Sequence, residues 1–401
     1  MTDFERKTAL FEEWLEENNK RIGEISIAQI GEYPVNISNF YGSVVNEMAT
    51  ADLIRHYADA HGDRNPLWRN PEYAKSTRWG GIVAPPTFTD SIIQAYPFKF
   101  EPPVYAQFNY FLQMPVGCRR EIYKPIYPGD TFHCIHRYMG MREIPSRFPA
   151  PVREFEESIQ RQLINQRGEI VAIIEVFDIG YLNFDSVMFK PRGRKRHKLT
   201  DEEAQKIIDG YENEKRRGAE PLYWEDVEVG TEISLHPIGP YNAYDTAAFY
   251  TAMSGHALAF ELEWERIKLF PDFAWKDPEL NFYTSGGVCH LADGKGDSAM
   301  NDGFALGFYA QVDGLLGRML CNWAGDNSFV RVLDTRAPFE TYPMLGDILN
   351  CSGKVVSKTS ENGEYLVNLE VQCLDYWGTT LSSGTATVQL PSKVDFKGFR
   401  F

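Results

Sequence analysis

One turn and one hairpin occur twice in this chain, and that recurrence limits the fold more than any other feature. Tyr127-Pro-Gly-Asp130 returns as Tyr342-Pro-Met-Leu-Gly-Asp347, and Asn165-Gln-Arg-Gly-Glu169 returns as Asp375-Tyr-Trp-Gly-Thr379. The flanking elements repeat in the same order. A short helix over Asp52–His61 stops at Gly62, and another over Asp245–Ser254 stops at Gly255. A helix over Thr87–Tyr96 corresponds to a long apolar one over Asn301–Leu320. Period-two patterning then predicts strands at Glu121–Tyr127, Thr131–Met139, Phe155–Asn165 and Glu169–Tyr181. In the second half the strands fall at Val330–Glu340, Ile348–Ser357, Tyr365–Asp375 and Thr379–Leu390. The expected fold is α+β: two copies of a helix wrapped by a strongly bent antiparallel sheet.

A chain of 401 residues has room for two such cores. Residues 1–40 read as an N-terminal helical extension, with Leu10, Phe11 and Leu15 on one face of a helix over Thr8–Ile22. Residues 41–190 form the first unit, 191–222 a basic and helical linker, and 223–401 the second unit. The linker opens on Lys190-Pro-Arg-Gly-Arg-Lys-Arg-His-Lys198, read as a solvated run with attraction of a ligand phosphate as the alternative. A charged helix follows over Thr200–Lys215, capped by Thr200-Asp-Glu-Glu.

A net charge of −15 argues against nucleic acid and anionic membrane as partners. No apolar run approaches the length of a membrane span. The start of the chain reads as an acidic amphipathic helix and not a signal peptide. The six cysteines form no CxxC pair or cluster, so neither a zinc site nor a disulfide framework is indicated. They fit reduced thiols in a cytoplasm. His133 and His136, three apart on a strand, point to opposite faces and cannot share a metal.

The chemistry-bearing stretch runs from Asn46 to Phe88. Thr50 caps a helix with Leu53, Ile54, Tyr57 and Ala58 on one face, and His56 and His61 facing solvent or capping it. Gly62 ends that helix, and Asp63, Asn65 and Pro66 make a tight polar turn. A carboxylate held there can act as a base or merely cap the turn.

With Gly62-Asp-Arg-Asn-Pro-Leu67, Pro71-Glu-Tyr-Ala-Lys-Ser-Thr-Arg-Trp-Gly-Gly-Ile-Val-Ala-Pro-Pro-Thr-Phe88 and the two repeated turns, the chain resembles MaoC-like dehydratases and R-specific enoyl-CoA hydratases. It is similar to their long two-module form, whose N-terminal dehydratase module is related to type I fatty acid synthase. Leu320-Cys-Asn-Trp-Ala-Gly-Asp-Asn-Ser-Phe329 and Gly384-Thr-Ala-Thr-Val388 resemble the second module. The resemblance implies a double hotdog fold and addition or removal of water across C2–C3 of an acyl-CoA. It implies no cofactor beyond the coenzyme A thioester that is the substrate. The expected assembly is a homo-oligomer, or a hetero-oligomer with another hotdog subunit.

In the hydratase pattern an aspartate and a histidine hold the water. Asp63 and Asn65 match the pattern, but Trp68 stands at the histidine position, and an indole has one donor and no acceptor. Losing one of an acid–base pair typically forfeits about 10²–10⁴-fold in rate. The expected chemistry therefore lies mainly in the second half. There His290 would move the proton, and amides at a helix start near Gly303 would hold the thioester oxygen, such a donor being worth about 2.7–4 kcal/mol. His256, aligned with Asp63, is a rival catalytic residue, though a helix-end histidine reads equally as structural. Trp68, Pro86, Phe88 and Tyr283 are candidate substrate contacts. Phe108, Tyr110, Phe111, Phe249, Tyr250 and Phe282 are further candidates for a roomy aromatic acyl pocket. A non-catalytic acyl-CoA-binding subunit and a hotdog thioesterase are the alternatives, since fold alone does not fix function.

Overall fold

A computed structural model describes residues 2–27, 46–92, 108, 110–183, 193–253, 260–269, 274–296, 298, 302–338 and 341–394. The helices are α1 (Asp3–Asn19), α2 (Ala51–Asp59), α3 (Pro71–Ser76), α4 (Thr89–Ile92), α5 (Asp201–Glu212), α6 (Ala243–Ala252), α7 (Glu261–Leu269) and α8 (Tyr309–Ala324). The first-half strands are β1 (Ile25–Ile27), β2 (Tyr110–Ile122), β3 (Phe132–Ile144), β4 (Arg153–Asn165) and β5 (Ile170–Leu182). Those of the second half are β6 (Glu232–Ser234), β7 (Ala274–Asp277), β8 (Phe282–Ser285), β9 (Phe329–Arg336), β10 (Asn350–Glu361), β11 (Glu364–Leu374) and β12 (Thr380–Gln389).

Among the described residues, ten strands form one antiparallel sheet in the order β1-β3-β4-β5-β2-β9-β12-β11-β10-β6. Read outward from its centre, β2-β5-β4-β3-β1 and β9-β12-β11-β10-β6 are the same order. The two halves are therefore two lobes of one topology, joined edge to edge along β2 and β9. This is the expected double hotdog. Two glycines permit close packing against β9, Gly117 across the join and Gly384, on β12, within the second lobe. A Cβ at Gly117 would lie 2.4 Å from the carbonyl oxygen of Thr335, and one at Gly384 would lie 1.9 Å from that of Asp334.

The repeated turns match bond for bond. Asp130 Oδ2 accepts from Tyr127 N at 2.9 Å, and Asp347 Oδ2 accepts from Met344 N at 2.8 Å. Asn165 Oδ1 takes the amides of Arg167 and Glu169, as Asp375 Oδ1 takes those of Trp377 and Thr379. Both are side chains replacing missing backbone partners in a hairpin.

Several boundaries differ from expectation. β2 ends where 121–127 was expected to begin a strand, because Pro125 cannot continue a ladder. α1 starts earlier, fixed by the capping box of Thr2 and Glu5. The long helix begins at Tyr309, not Asn301: Asp302 and Gly303 have φ of +56° and +82°, and Leu306 bridges Met344. α8 is buried almost all round. It packs on β9–β12 on one side and meets the first lobe on the other.

Where it is described, the basic run is largely exposed, at Gly193, Lys195, Arg196 and Lys198. The Arg194 side chain turns inward and bonds Asp347 at 3.0 Å, with Asp375 3.7 Å away, so it ties together the second lobe's turn and hairpin. Arg196 pairs with Asp293 at 2.7 Å. Of the two places expected for His61, facing solvent or capping its helix, it takes the second: it is buried with Nδ1 on the Tyr57 carbonyl.

Candidate active site

The turn after α2 is built on its own side chains. Thr50 Oγ1 accepts from Leu53 N at 3.0 Å and starts the helix. Ile54, Tyr57 and Ala58 bury its inner face. Gly62, at φ +59°, lets the chain leave. Asp63 Oδ1 then accepts from Asn65 N at 2.9 Å, and Asn65 Oδ1 accepts from Leu67 N at 3.0 Å to cap the single turn Pro66–Trp68. Trp68 Nε1 donates to Asp63 Oδ2 at 2.8 Å. Asp63 is buried, and burial pushes its carboxyl up; the bonds from Asn65 and Trp68 and the Arg318 charge pull the other way.

The second lobe holds this turn from the far side. Asp326, just beyond α8, takes Asn65 Nδ2 at 2.9 Å and the Tyr73 hydroxyl at 2.5 Å on its two carboxylate oxygens. Its carbonyl accepts from Trp79 Nε1 at 2.7 Å. Arg318 on α8 donates to the His61 carbonyl at 2.8 Å and is neutralised by Glu214. Gln311 donates to the Ala60 carbonyl at 2.9 Å.

Two cavities flank the turn. The larger, about 580 Å³ with its open mouth, lies between the lobes. Trp68, Trp79 and Ile126 line it from the first lobe, and Phe329, Val330 and Asp326 from the second. The smaller, about 240 Å³ with its opening, is lined by Tyr57, His61, Asp63, Thr87, Gly314 and Arg318. Pro85, Pro86 and Cys321 wall both.

His61 sits 4% exposed over Gly314. Its Nδ1 lies 2.8 Å from the Tyr57 carbonyl oxygen. That oxygen can only accept, so Nδ1 carries the proton and Nε2 is an acceptor. Nε2 has no hydrogen-bond partner among the described residues. Burial drives the imidazole down to about 4.

His290 does lie by the amino end of α8. It is half-buried, its Nδ1 is 3.0 Å from the Leu306 carbonyl oxygen, and its ring stacks on Phe308 at 4.2 Å. Burial brings it to about 4 as well. The 16 residues of α8 span about 24 Å. His290 is at one end of that helix, and Cys321, Gly325 and Asp326 bring the larger cavity to the other end.

The chain matches a family model, "FAS1-like, dehydratase domain region", over residues 39–174. That match covers most of the first lobe and about a third of the chain. Over 93% of its length the chain has the fold of solved MaoC-like dehydratases. One such structure, a MaoC-like dehydratase, aligns with TM-score 0.55 and 16% identity over 93% of this chain and 99% of that one. Another, a putative MaoC domain protein dehydratase from Chloroflexus aurantiacus, aligns with TM-score 0.52 and 12% identity over 93% and 96%. A UPF0336 protein of Streptomyces avermitilis is 46% identical over 41 residues, 10% of this chain and 27% of that protein. One from Thermobifida fusca is 51% identical over 35 residues, 9% of this chain and 23% of that protein. The chain thus spans about a quarter of the length of the curated relatives it matches.

Within the matched region, Asp63, Trp68 and Pro86 line the two cavities, and Asn65 is bonded to Asp63 beside them. Phe88 does not line either cavity; it is buried edge-on against Tyr57, 5.7 Å away. The second-half residues do not join this group. Tyr283 is 44% exposed on the β7–β8 hairpin, beside Trp264. Gly303 cannot serve an oxyanion from a helix start: it precedes α8 by a full turn and more, and its amide donates to the Ser298 carbonyl at 3.0 Å. His256 lies outside the described residues. Of the aromatic candidates, Phe249 is core, Phe282 is exposed, Phe108 packs on Phe11, Tyr250 meets Phe308, and the side chains of Tyr110 and Phe111 lie outside the description.

His61, Asp326, Arg318 and Glu214 escaped sequence reading. Only His61 carried a signal, being four residues after Tyr57 and thus on the buried face of its helix.

Proposed function

We propose that the protein is a hydro-lyase that adds water to, or removes it from, C2–C3 of an enoyl- or 3-hydroxyacyl-CoA, with the acyl group in the cavity between the lobes. The observation that carries this reading is the placement of Asp63. Its turn, drawn from the hydratase-like motif, is buried at the junction of a small polar cavity and a large apolar one. Burial raises its carboxyl above the ordinary aspartate range, which makes it a stronger base than an exposed one. Two of its four lone pairs are used by Asn65 and Trp68, which leaves acceptor capacity. Trp68, Trp79 and Phe329 favour a bulky or aromatic acyl group. The chemistry is assigned to this turn and not to His290, which is at the other end of α8.

The reading is tested with a panel of trans-2-enoyl-CoAs carrying short, long and aromatic acyl groups. Wild-type protein should bleach the conjugated enoyl-thioester absorbance and yield the 3-hydroxyacyl product. Asp63→Asn should lower the rate by about 10²–10⁴-fold.

The Trp68–Asp63 bond favours a second reading. With an indole where the hydratase motif has its imidazole, the lobe would bind an acyl-CoA without turning it over, as one subunit of a heteromeric hydratase. Calorimetric binding of a saturated acyl-CoA, no turnover alone, and turnover on adding another hotdog subunit would support it over the first.

A further inference from the structure

Two buried polar atoms beside the acyl cavity lack hydrogen-bond partners among the described residues: one can only accept, and the other can also donate. His61 Nε2 is a pure acceptor in the small cavity. Thr89 Oγ1, 2% exposed, carries a donor and lines the large one. The wall formed by Pro85 and Pro86 is common to both cavities. Those two prolines offer no N–H, so the chain itself gives that wall no backbone donors. A buried acceptor and a buried donor left unsatisfied are both costly, and a polar site with room for a water is normally filled by one.

We propose that His61 and Thr89 are the acceptor–donor pair of this site: His61 Nε2 accepts a hydrogen bond from the water that is added or removed, and the Thr89 hydroxyl donates to the thioester oxygen. The inference rests on the hydro-lyase reading of the same site. It gives the imidazole missing at position 68 a different origin, seven residues earlier in the chain. Asp63 lines the cavity of His61, so water held there has both a carboxylate and an imidazole within its walls. Gly314 is part of the device. A Cβ there would sit 2.0 Å from His61 Nε2, so the ring can enter only because that face of α8 is bare. Thr89 takes the place of the absent amide donors on the acyl side, where negative charge collects as water adds to C3.

The experiment uses the full-length protein with four variants: His61→Ala, Thr89→Val, Thr89→Ser and Thr89→Val in the His61→Ala background. Thr89→Val, equal in shape and lacking the hydroxyl, should lower kcat by about 10²–10³-fold with little change in KM. Thr89→Ser should keep most of the rate. His61→Ala should lose about 10²-fold or more, and added imidazole should restore part of it. Folding is checked by circular dichroism and melting. Thr89→Val at wild-type kcat would overturn the donor role. If His61→Ala does not fold, a crystal structure of wild-type protein with a saturated acyl-CoA decides. Ordered water within hydrogen-bond distance of His61 Nε2 and a thioester oxygen on Thr89 Oγ1 support the pair, and their absence overturns it. Lack of turnover by wild-type protein on every enoyl-CoA would count against the hydro-lyase reading alone, because the crystallographic result does not depend on turnover.

Discussion

Trp68 Nε1 donates to Asp63 Oδ2 across 2.8 Å inside the lobe junction, which makes the indole the carboxylate's own ligand. Trp68→Phe keeps an aromatic ring but removes the donor. A buried oxygen losing its partner costs about 1–3 kcal/mol, and the variant should unfold at correspondingly lower denaturant. The Asp63 carboxyl should also rise further, since one of the bonds holding it down is gone. Carboxyl titration by carbon-13 NMR would show this.

Gly314 and Gly317 sit one turn apart on α8 and should respond to alanine with opposite signs. At Gly314 the new Cβ would be 2.0 Å from His61 Nε2 and 2.1 Å from its Cδ2, and that ring is pinned by Tyr57 and packed against Phe249. Overpacking of this kind costs about 1–3 kcal/mol or more, which exceeds the gain of up to about 1 kcal/mol from replacing a helical glycine. At Gly317 the nearest atoms, on Thr87, are 3.7 and 3.8 Å away, an ordinary contact. Gly317→Ala should therefore stabilise by up to about 1 kcal/mol. Denaturant midpoints of the two variants check the pair.

Those two glycines show where sequence reading stops. The repeated turns and the polar turn at Asp63 were legible because each is local: an Asp or Asn closing onto amides two to four residues away. The partners of Asp63's turn were not legible. Asn65 meets Asp326 and His61 meets Gly314, more than 250 positions apart in each case, and no periodicity encodes such a pairing. The start of α8 misled for a different reason. Its apolar run extends back through Phe304–Phe308, but those residues serve a β-bridge and a backbone bond to Pro343 instead. The reach between His290 and the larger cavity was invisible for the same cause, since it is set by the length and position of that helix.

Acid should weaken the fold between pH 6.5 and 4. His61 and His290 are each lowered from 6.5 to about 4, so in that window the unfolded chain binds more protons than the folded one. Stability then rises with pH through the window and is unaffected by these groups above it. Arg318 and Arg120 add to burial in keeping His61 neutral, while the Tyr57 carbonyl opposes them and Asp63 shares its cavity. Asp63 and Asp313, both raised by burial, act with the opposite sign and blunt the slope at its acid end. His290→Phe keeps a ring against Phe308 and removes one titrating group. The slope of unfolding free energy against pH should be shallower in that variant, measured by urea titrations at half-unit steps.

Arg120 is the charge on which the join between the lobes depends. It is 1% exposed on β2 and reaches Asp313 on α8 at 2.7 Å and Asp90 on α4 at 2.8 Å. Asp313 is also bonded by the Thr335 hydroxyl of β9 at 2.8 Å, so one guanidinium links both lobes beside the strand pair that joins them. Arg120→Met would leave the buried Asp313 without its cation, and removing one partner of such a network typically costs about 3–5 kcal/mol. Arg120→Lys keeps the charge but cannot present two forked donors, so its loss should be smaller. The sign with pH separates this from simple loss of packing. In Arg120→Met the Asp313 carboxyl, already raised by burial, loses the cation that lowers it and is relieved on taking up a proton, so the deficit against wild type should shrink from pH 7 to pH 5. A cavity left by a missing side chain would produce the same deficit at both values.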